Sequence, residues 1–165
     1  MFPLYIIGFM GAGKTTIGKK LSDVLDISVF DTDHLVEQQE GKRIPEIFSE
    51  KGEHYFRDKE SEILTNTKNM NAIITTGGGI ILRKGNRELI KSSGVSVFLQ
   101  CDIEIIMKRL QNDTSRPLLM NKKLEEVKAL FELRMPYYEE AASFTIDTSF
   151  LTVPETVEEI LKRIK

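Results

Sequence analysis

One octapeptide constrains this chain more than any other feature. Gly8-Phe9-Met10-Gly11-Ala12-Gly13-Lys14-Thr15 fits the pattern G-x-x-x-x-G-K-[ST]; the apolar run Leu4–Ile7 precedes it, and Ile17, Leu21 and Leu25 follow at helical spacing. The pattern has chemical meaning only between a strand and a helix. Its glycines let the backbone curl until successive N–H groups point at phosphate oxygens, and the helix that follows adds the positive end of its dipole. In that setting Gly11, Ala12, Gly13, Lys14, Thr15 and Thr16 are expected to hold ATP. Lys14 neutralises the β- and γ-phosphates, and the Thr15 hydroxyl is offered to Mg²⁺, which prefers oxygen ligands. A merely tight turn is the weaker alternative, because it does not explain the flanking strand and helix.

Four more short apolar runs occur at residues 27–30, 72–76, 95–99 and 144–146, with helix-periodic segments between them. Near-continuous apolar strands separated by helices predict a five-stranded parallel sheet covered on both faces, an α/β fold. Two stretches break the alternation, and both are expected to cover a ligand. Residues 33–67 carry two or three helical pieces split by Gly41 and Gly52. Residues 110–123 contain Asn112, Asp113, Thr114, Ser115 and Pro117, turn formers that suit a lid. Residues 154–164 read as an amphipathic helix with Pro154 in its first turn.

Composition narrows the partners. With 165 residues, 41% of them hydrophobic, and no repeat or Pro/Ser-rich linker, the expectation is a single domain over residues 1–165. Lys and Arg total 23 against 25 for Asp and Glu, for a net charge of -2 without a basic stripe, which argues against nucleic acid as a partner. No apolar stretch approaches the ~18 residues of a membrane span, so a cytoplasmic protein without an anchor is expected, and separately a monomer. Cys101 is the single cysteine, which excludes an intrachain disulfide and fits a packed thiol.

The loop alone leaves the reaction open, since switches, motors, transporters and small-molecule kinases share it. The acceptor side must decide. Asp31-Thr32-Asp33 follows the second apolar run, and the carboxyl ends of strands line the crevice of such sheets. In an extended segment residues two apart face one way, which would give Asp31 the metal and Asp33 the acceptor hydroxyl. The alternative is a turn in which Asp33 caps a helix starting near His34. Gly77-Gly78-Gly79 ends the third run and would let a ligand lie against bare backbone, or else form a plain glycine turn. Arg57 and Arg134 acquire meaning only as a pair around an acceptor carboxylate, a task that suits the planar guanidinium. Arg116, beside Pro117, is placed to meet the transferring phosphate if that segment closes, and is otherwise a solvent-exposed side chain. His34 and His54 are too isolated for a metal pair or a triad.

Taken together, the octapeptide, Asp31-Thr32-Asp33, Phe56-Arg57 with Glu60, Gly77-Gly78-Gly79, Arg116-Pro117-Leu118-Leu119 and Arg134 resemble the shikimate kinase family over nearly the whole chain. That resemblance implies the nucleoside-monophosphate-kinase type of fold, a three-layer α/β/α sandwich with strand order 2-3-1-4-5, a substrate region at 33–67 and a lid at 110–123. It implies ATP-dependent phosphorylation of the shikimate 3-hydroxyl with Mg²⁺, on the route to chorismate. Lys14, Asp33 and Arg116 would be catalytic, and Asp33, Arg57, Gly78, Gly79 and Arg134 would bind shikimate. Glu60 would hold Arg57, Phe48, Phe56 and Pro117 would shape the pocket, and Arg109 and Pro154 would sandwich the adenine. A gluconate or nucleoside-monophosphate kinase is the rival enzyme. A nucleotide-binding regulatory module without transfer is the rival from another class.

Overall fold

The computed structural model describes residues 2–111 and 124–165. Arg116 and Pro117 of the expected lid, and most of that segment, lie outside the described residues.

Five short strands form one parallel sheet: β1 (Leu4–Ile7), β2 (Val29–Asp31), β3 (Ile73–Thr75), β4 (Val95–Gln100) and β5 (Phe144–Asp147), in the order β2-β3-β1-β4-β5. All four strand pairings are parallel. The expected sheet and strand order are therefore found, with β2 starting two residues later than its apolar run and including Asp31.

Period-two alternation explains why β1 is apolar throughout. Leu4 and Ile6 face a core with Ile17 and Leu21 of α1 (Lys14–Leu25) and Val157 and Ile160 of α7 (Val153–Ile164). Tyr5 and Ile7 face the opposite core with Leu64, Ile90 and Tyr138. Those three residues come from α3 (Ile44–Asn66), α4 (Lys84–Ser93) and α6 (Leu124–Ala141). Every β1 side chain is fully buried, and burying a large aliphatic side chain is worth about 1.5–3 kcal/mol. The sheet thus sits rigidly between two helical layers.

The irregular stretch resolves into α2 (Thr32–Glu40) and α3, joined past Gly41, which closes α2 at a φ of 65°. Inside α3, Gly52 has φ 86° and ψ 169°, a kink, with nothing near enough to obstruct a side chain; the left-handed φ alone accounts for glycine there. After the kink Phe56, Arg57, Glu60, Ile63 and Leu64 form one buried helical stripe. Two charged residues on an apolar stripe carry a desolvation cost that packing alone would not select.

Helix α5 (Ile103–Leu110) follows β4. Helix α7 is closed by a reciprocal cap in which Glu155 N–H donates to Thr152 Oγ1 at 3.2 Å and Thr152 N–H to Glu155 Oε1 at 3.0 Å. No described helix is long and apolar enough to cross a membrane.

Candidate active site

Register brings the carboxyl ends of three strands to one edge. Ile6 of β1 and Asp31 of β2 both pair with Thr75 of β3, so residues 8–15, the aspartates and the glycine turn after β3 all emerge together. The loop after β1 depends on conformations that glycine allows: Gly11 has φ 79° and Gly13 φ 94°. Gly8 is required for another reason, since a Cβ there would stand 2.9 Å from the Leu99 carbonyl oxygen. Helix α1 starts at Lys14 with no acidic residue in its first turn, which leaves its N–H groups and positive dipole end available to an anion. Lys14 Nζ is buried and donates to Gly8 O at 2.6 Å and Phe9 O at 2.9 Å, folding its charge back over the loop.

Beside the loop lies a cleft of about 220 Å³ lined by Lys14, Thr15, Thr16, Asp31, Asp33 and Arg109, among others. A second cavity of about 190 Å³ continues from Ala12, Gly13 and Thr16 to Leu151 and Val153 at the start of α7. Arg109, in the last turn of α5, lines both and donates from Nη1 to Gly11 O at 2.8 Å. Pro154 directly follows Val153 in the first turn of α7. Thr148, Leu151 and Val153 on this wall were missed from sequence, where they read as ordinary loop residues.

The aspartate pair is built differently from the sequence expectation. Thr32 and Asp33 already belong to α2, so the two carboxylates are not alternate positions of an extended strand, and it is Asp31, not Asp33, that caps the helix. Asp31 Oδ1 accepts from His34 N–H at 3.2 Å and Oδ2 from Thr75 Oγ1 at 2.9 Å. Both aspartates nonetheless line the same cleft with Thr15. Thr32 between them is fully buried and accepts from Gly77 N–H at 3.0 Å, pinning the glycine turn to α2.

That turn explains its three glycines one by one. A Cβ on Gly77 would overlap Asp33 Oδ1 and stand 3.0 Å from Glu60 Oε2. One on Gly78 would lie 3.3 Å from Met10 N and 3.5 Å from Arg134 Nη1, and one on Gly79 would overlap the Arg57 guanidinium. None of the three has a positive φ, so close approach is the reason for glycine. Asp33, Arg134 and Arg57 of the protein itself lie against this turn.

Arg57 and Arg134 are 8% and 2% exposed, so two guanidiniums share a region nearly shut off from water. Arg57 Nη1 donates to Glu60 Oε1 at 2.8 Å and Nε to Glu53 Oε2 at 3.4 Å. Burial opposes the Arg57 charge, but the two glutamates outweigh it and raise its pKa. For Arg134 the balance goes the other way: burial first, and Arg57 among the lesser causes, lower its pKa against the weaker pull of Tyr138 and Glu53. Glu60 is fully buried, and burial pushes its carboxyl up to about 7 against the pull of Arg57. Its Oε2 and the Arg134 Nε have no hydrogen-bond partner among the described residues.

The described residues hold no cluster of three His, Cys, Asp or Glu able to form a metal cage. Thr15, Asp31 and Asp33 do supply the hard oxygen donors that suit a Mg²⁺ carried mainly by phosphates and water.

The family model for shikimate kinase matches residues 10–165. The shikimate kinase of Bacillus cytotoxicus is 48% identical over 164 residues, 99% of each chain. Among solved structures, shikimate kinase from Acinetobacter baumannii in complex with shikimate superposes with a TM-score of 0.93 at 37% identity, covering 98% of this chain and 91% of that one. The Aquifex aeolicus shikimate kinase gives 0.85 at 38% identity over 96% and 94%.

Proposed function

This chain belongs to the shikimate kinase family, and we propose that it performs that family's reaction with the residues assembled above. It is an ATP-dependent kinase that phosphorylates shikimate at the 3-hydroxyl, giving shikimate 3-phosphate and ADP, in the chorismate and aromatic amino acid route. The observation that carries the residue assignments is the pair of buried guanidiniums, Arg57 and Arg134, meeting at Gly78 and Gly79 with Asp33 across the turn. Two buried cations with incomplete internal compensation call for an anion, and a carboxylate can take both forks.

In this reading the acceptor carboxylate lies on Arg57 and Arg134 while a ring hydroxyl faces Asp33. Glu60 fixes the Arg57 rotamer. ATP lies along residues 11–16 with its base between Arg109 and the Pro154 end of α7. Asp33 accepts the hydroxyl proton as the acceptor oxygen bonds to the γ-phosphorus and the bond to the ADP oxygen breaks. Lys14 neutralises charge on the phosphoryl oxygens, so the protein contributes chiefly positioning and electrostatics. Mg²⁺, when bound, would supply charge neutralisation between the phosphates, held by Thr15 and, through water, by Asp31. Residues 33–67 form the acceptor region and 110–123 the lid that carries Arg116 to the γ-phosphate and excludes water. We assign all of this to a single domain, working as a cytoplasmic monomer.

ADP release with Mg²⁺ and ATP, measured against shikimate, quinate, gluconate, nucleoside monophosphates and no acceptor, tests the assignment. Turnover selective for shikimate is expected. Preference for gluconate or a nucleotide would remove the roles given to Arg57 and Arg134, and ATP binding without any turnover would point to a regulatory module.

A further inference from the structure

The two acceptor arginines are held by different chemistry. Arg57 is tied to the carboxylates of Glu60 and Glu53, whereas Arg134 has a neutral partner, the phenol of Tyr138 one helical turn further along α6. The Tyr138 hydroxyl donates to Gly78 O at 2.5 Å, and the Arg134 guanidinium, with Nη1 3.5 Å from where a Cβ on Gly78 would stand, lies beside it and interacts with it electrostatically. Its ring is fully buried and stacked on Phe98 of β4, with centroids 5.0 Å apart and planes 21° from parallel. A phenylalanine would fill that space without the cost of burying a hydroxyl, so the hydroxyl's value lies in its two polar contacts. Among the described residues, the guanidinium carbon of Arg134 is also 5.9 Å from the Phe9 ring centroid, and Gly78 is beside it.

We propose that Tyr138 is a positioning residue for the acceptor: its hydroxyl, bound to the Gly78 carbonyl beside Arg134, holds the guanidinium against the glycine turn without pairing it to a carboxylate, so that its charge stays available to the substrate's anion. A carboxylate in its place would hold the arginine as firmly but cancel the charge that recognises the acceptor. Burial raises the phenol's pKa, which keeps it neutral. The proposal rests on the assignment of Arg134 to the acceptor carboxylate.

Its test is a double-mutant cycle on the full chain with Tyr138→Phe and Arg134→Ala, reading KM for shikimate and for ATP, kcat and Tm, with shikimate Kd by calorimetry where turnover is too slow. Tyr138→Phe keeps the ring on Phe98. It is expected to raise the shikimate KM about ten-fold, with the ATP KM within two-fold and Tm nearly unchanged. Arg134→Ala is expected to raise it about 100-fold, and adding Tyr138→Phe to that background should change nothing further. KM does not depend on how much enzyme is folded, so partial loss of protein does not blur the reading. Arg134→Lys replaces Arg134→Ala if the latter fails to fold. A shikimate KM unmoved by Tyr138→Phe but raised by Arg134→Ala overturns the positioning role and leaves the acceptor assignment standing. A shikimate KM unmoved by Arg134→Ala overturns both. Equal rises in both KM values with a fall in Tm show a phenol that only supports the core, and overturn the proposal.

Discussion

The nucleotide side and the acceptor side proposed for this enzyme meet at one edge of the sheet, yet they are made in opposite ways. Residues 8–16 form the first from consecutive backbone, with glycines at positive φ and a helix start that has no acidic residue in its first turn. The second draws Asp33 from α2, Arg57 and Glu60 from α3 and Arg134 from α6, each close against one of three glycines that follow β3. A backbone site is specified locally and tolerates changes far away. A side-chain site built from several elements depends on packing that keeps buried charges in contact.

The sharpest way to break this contrast is Lys14→Met. If the loop's lysine serves the transferring phosphoryl group, kcat falls about 1,000-fold or more while the shikimate KM stays within a few-fold in steady-state assays. A loss confined to KM would move Lys14 from transition-state stabilisation to ground-state binding.

Two glycine substitutions then separate the halves. Gly79→Ala puts a methyl into the Arg57 guanidinium at an unstrained φ of -93°, so kcat/KM for shikimate is expected to drop about 10- to 100-fold with the ATP KM unchanged. Gly13→Ala forces a side chain to φ 94° at the start of α1 and is expected to raise the ATP KM instead. If both changes moved both KM values alike, the two sides would be one mechanical unit.

Glu60 sharpens the comparison through pH. Its folded pKa of about 7 lies above the ordinary 4.5, so between those values the folded chain keeps a proton that the unfolded chain releases. Stability is therefore fully present below about pH 4.5 and is lost as pH rises towards 7, by an amount on the order of 3 kcal/mol. Tm of the wild type should fall between pH 5 and 8 more steeply than that of Glu60→Gln. Parallel profiles would mean that Arg57 keeps Glu60 ionised throughout.

The smallest effect belongs to Thr152→Ala, which removes the cap of α7 at a cost of about 1 kcal/mol, or a few degrees in Tm. Because the acceptor site shares nothing with that cap, the shikimate KM should not move. A change in the ATP KM beyond two-fold would show that the cap sets the Leu151 and Val153 wall.

The sequence by itself determined the sheet, the loop and the direction of the chemistry. Backbone conformation and burial periodicity act over a few residues: the run before Gly8 had to be a buried strand, and the glycines at 11 and 13 follow from φ. Arg57 and Glu60 share a helix stripe with Phe56, Ile63 and Leu64, but only the folded helix shows that stripe buried. What tertiary structure alone decided is contact between distant positions. Asp31 rather than Asp33 caps α2, because α2 begins two residues earlier than an extended reading of 31–33 allows. The three glycines after β3 are small because Asp33, Arg134 and Arg57 press on them, which no spacing in the chain announces. Tyr138 reads as one more aromatic on a helix until its hydroxyl is seen on the Gly78 carbonyl, beside Arg134. Short-range sterics are written in neighbouring residues, whereas the pairing of buried charges is settled only when the sheet and helices bring remote segments within a hydrogen bond.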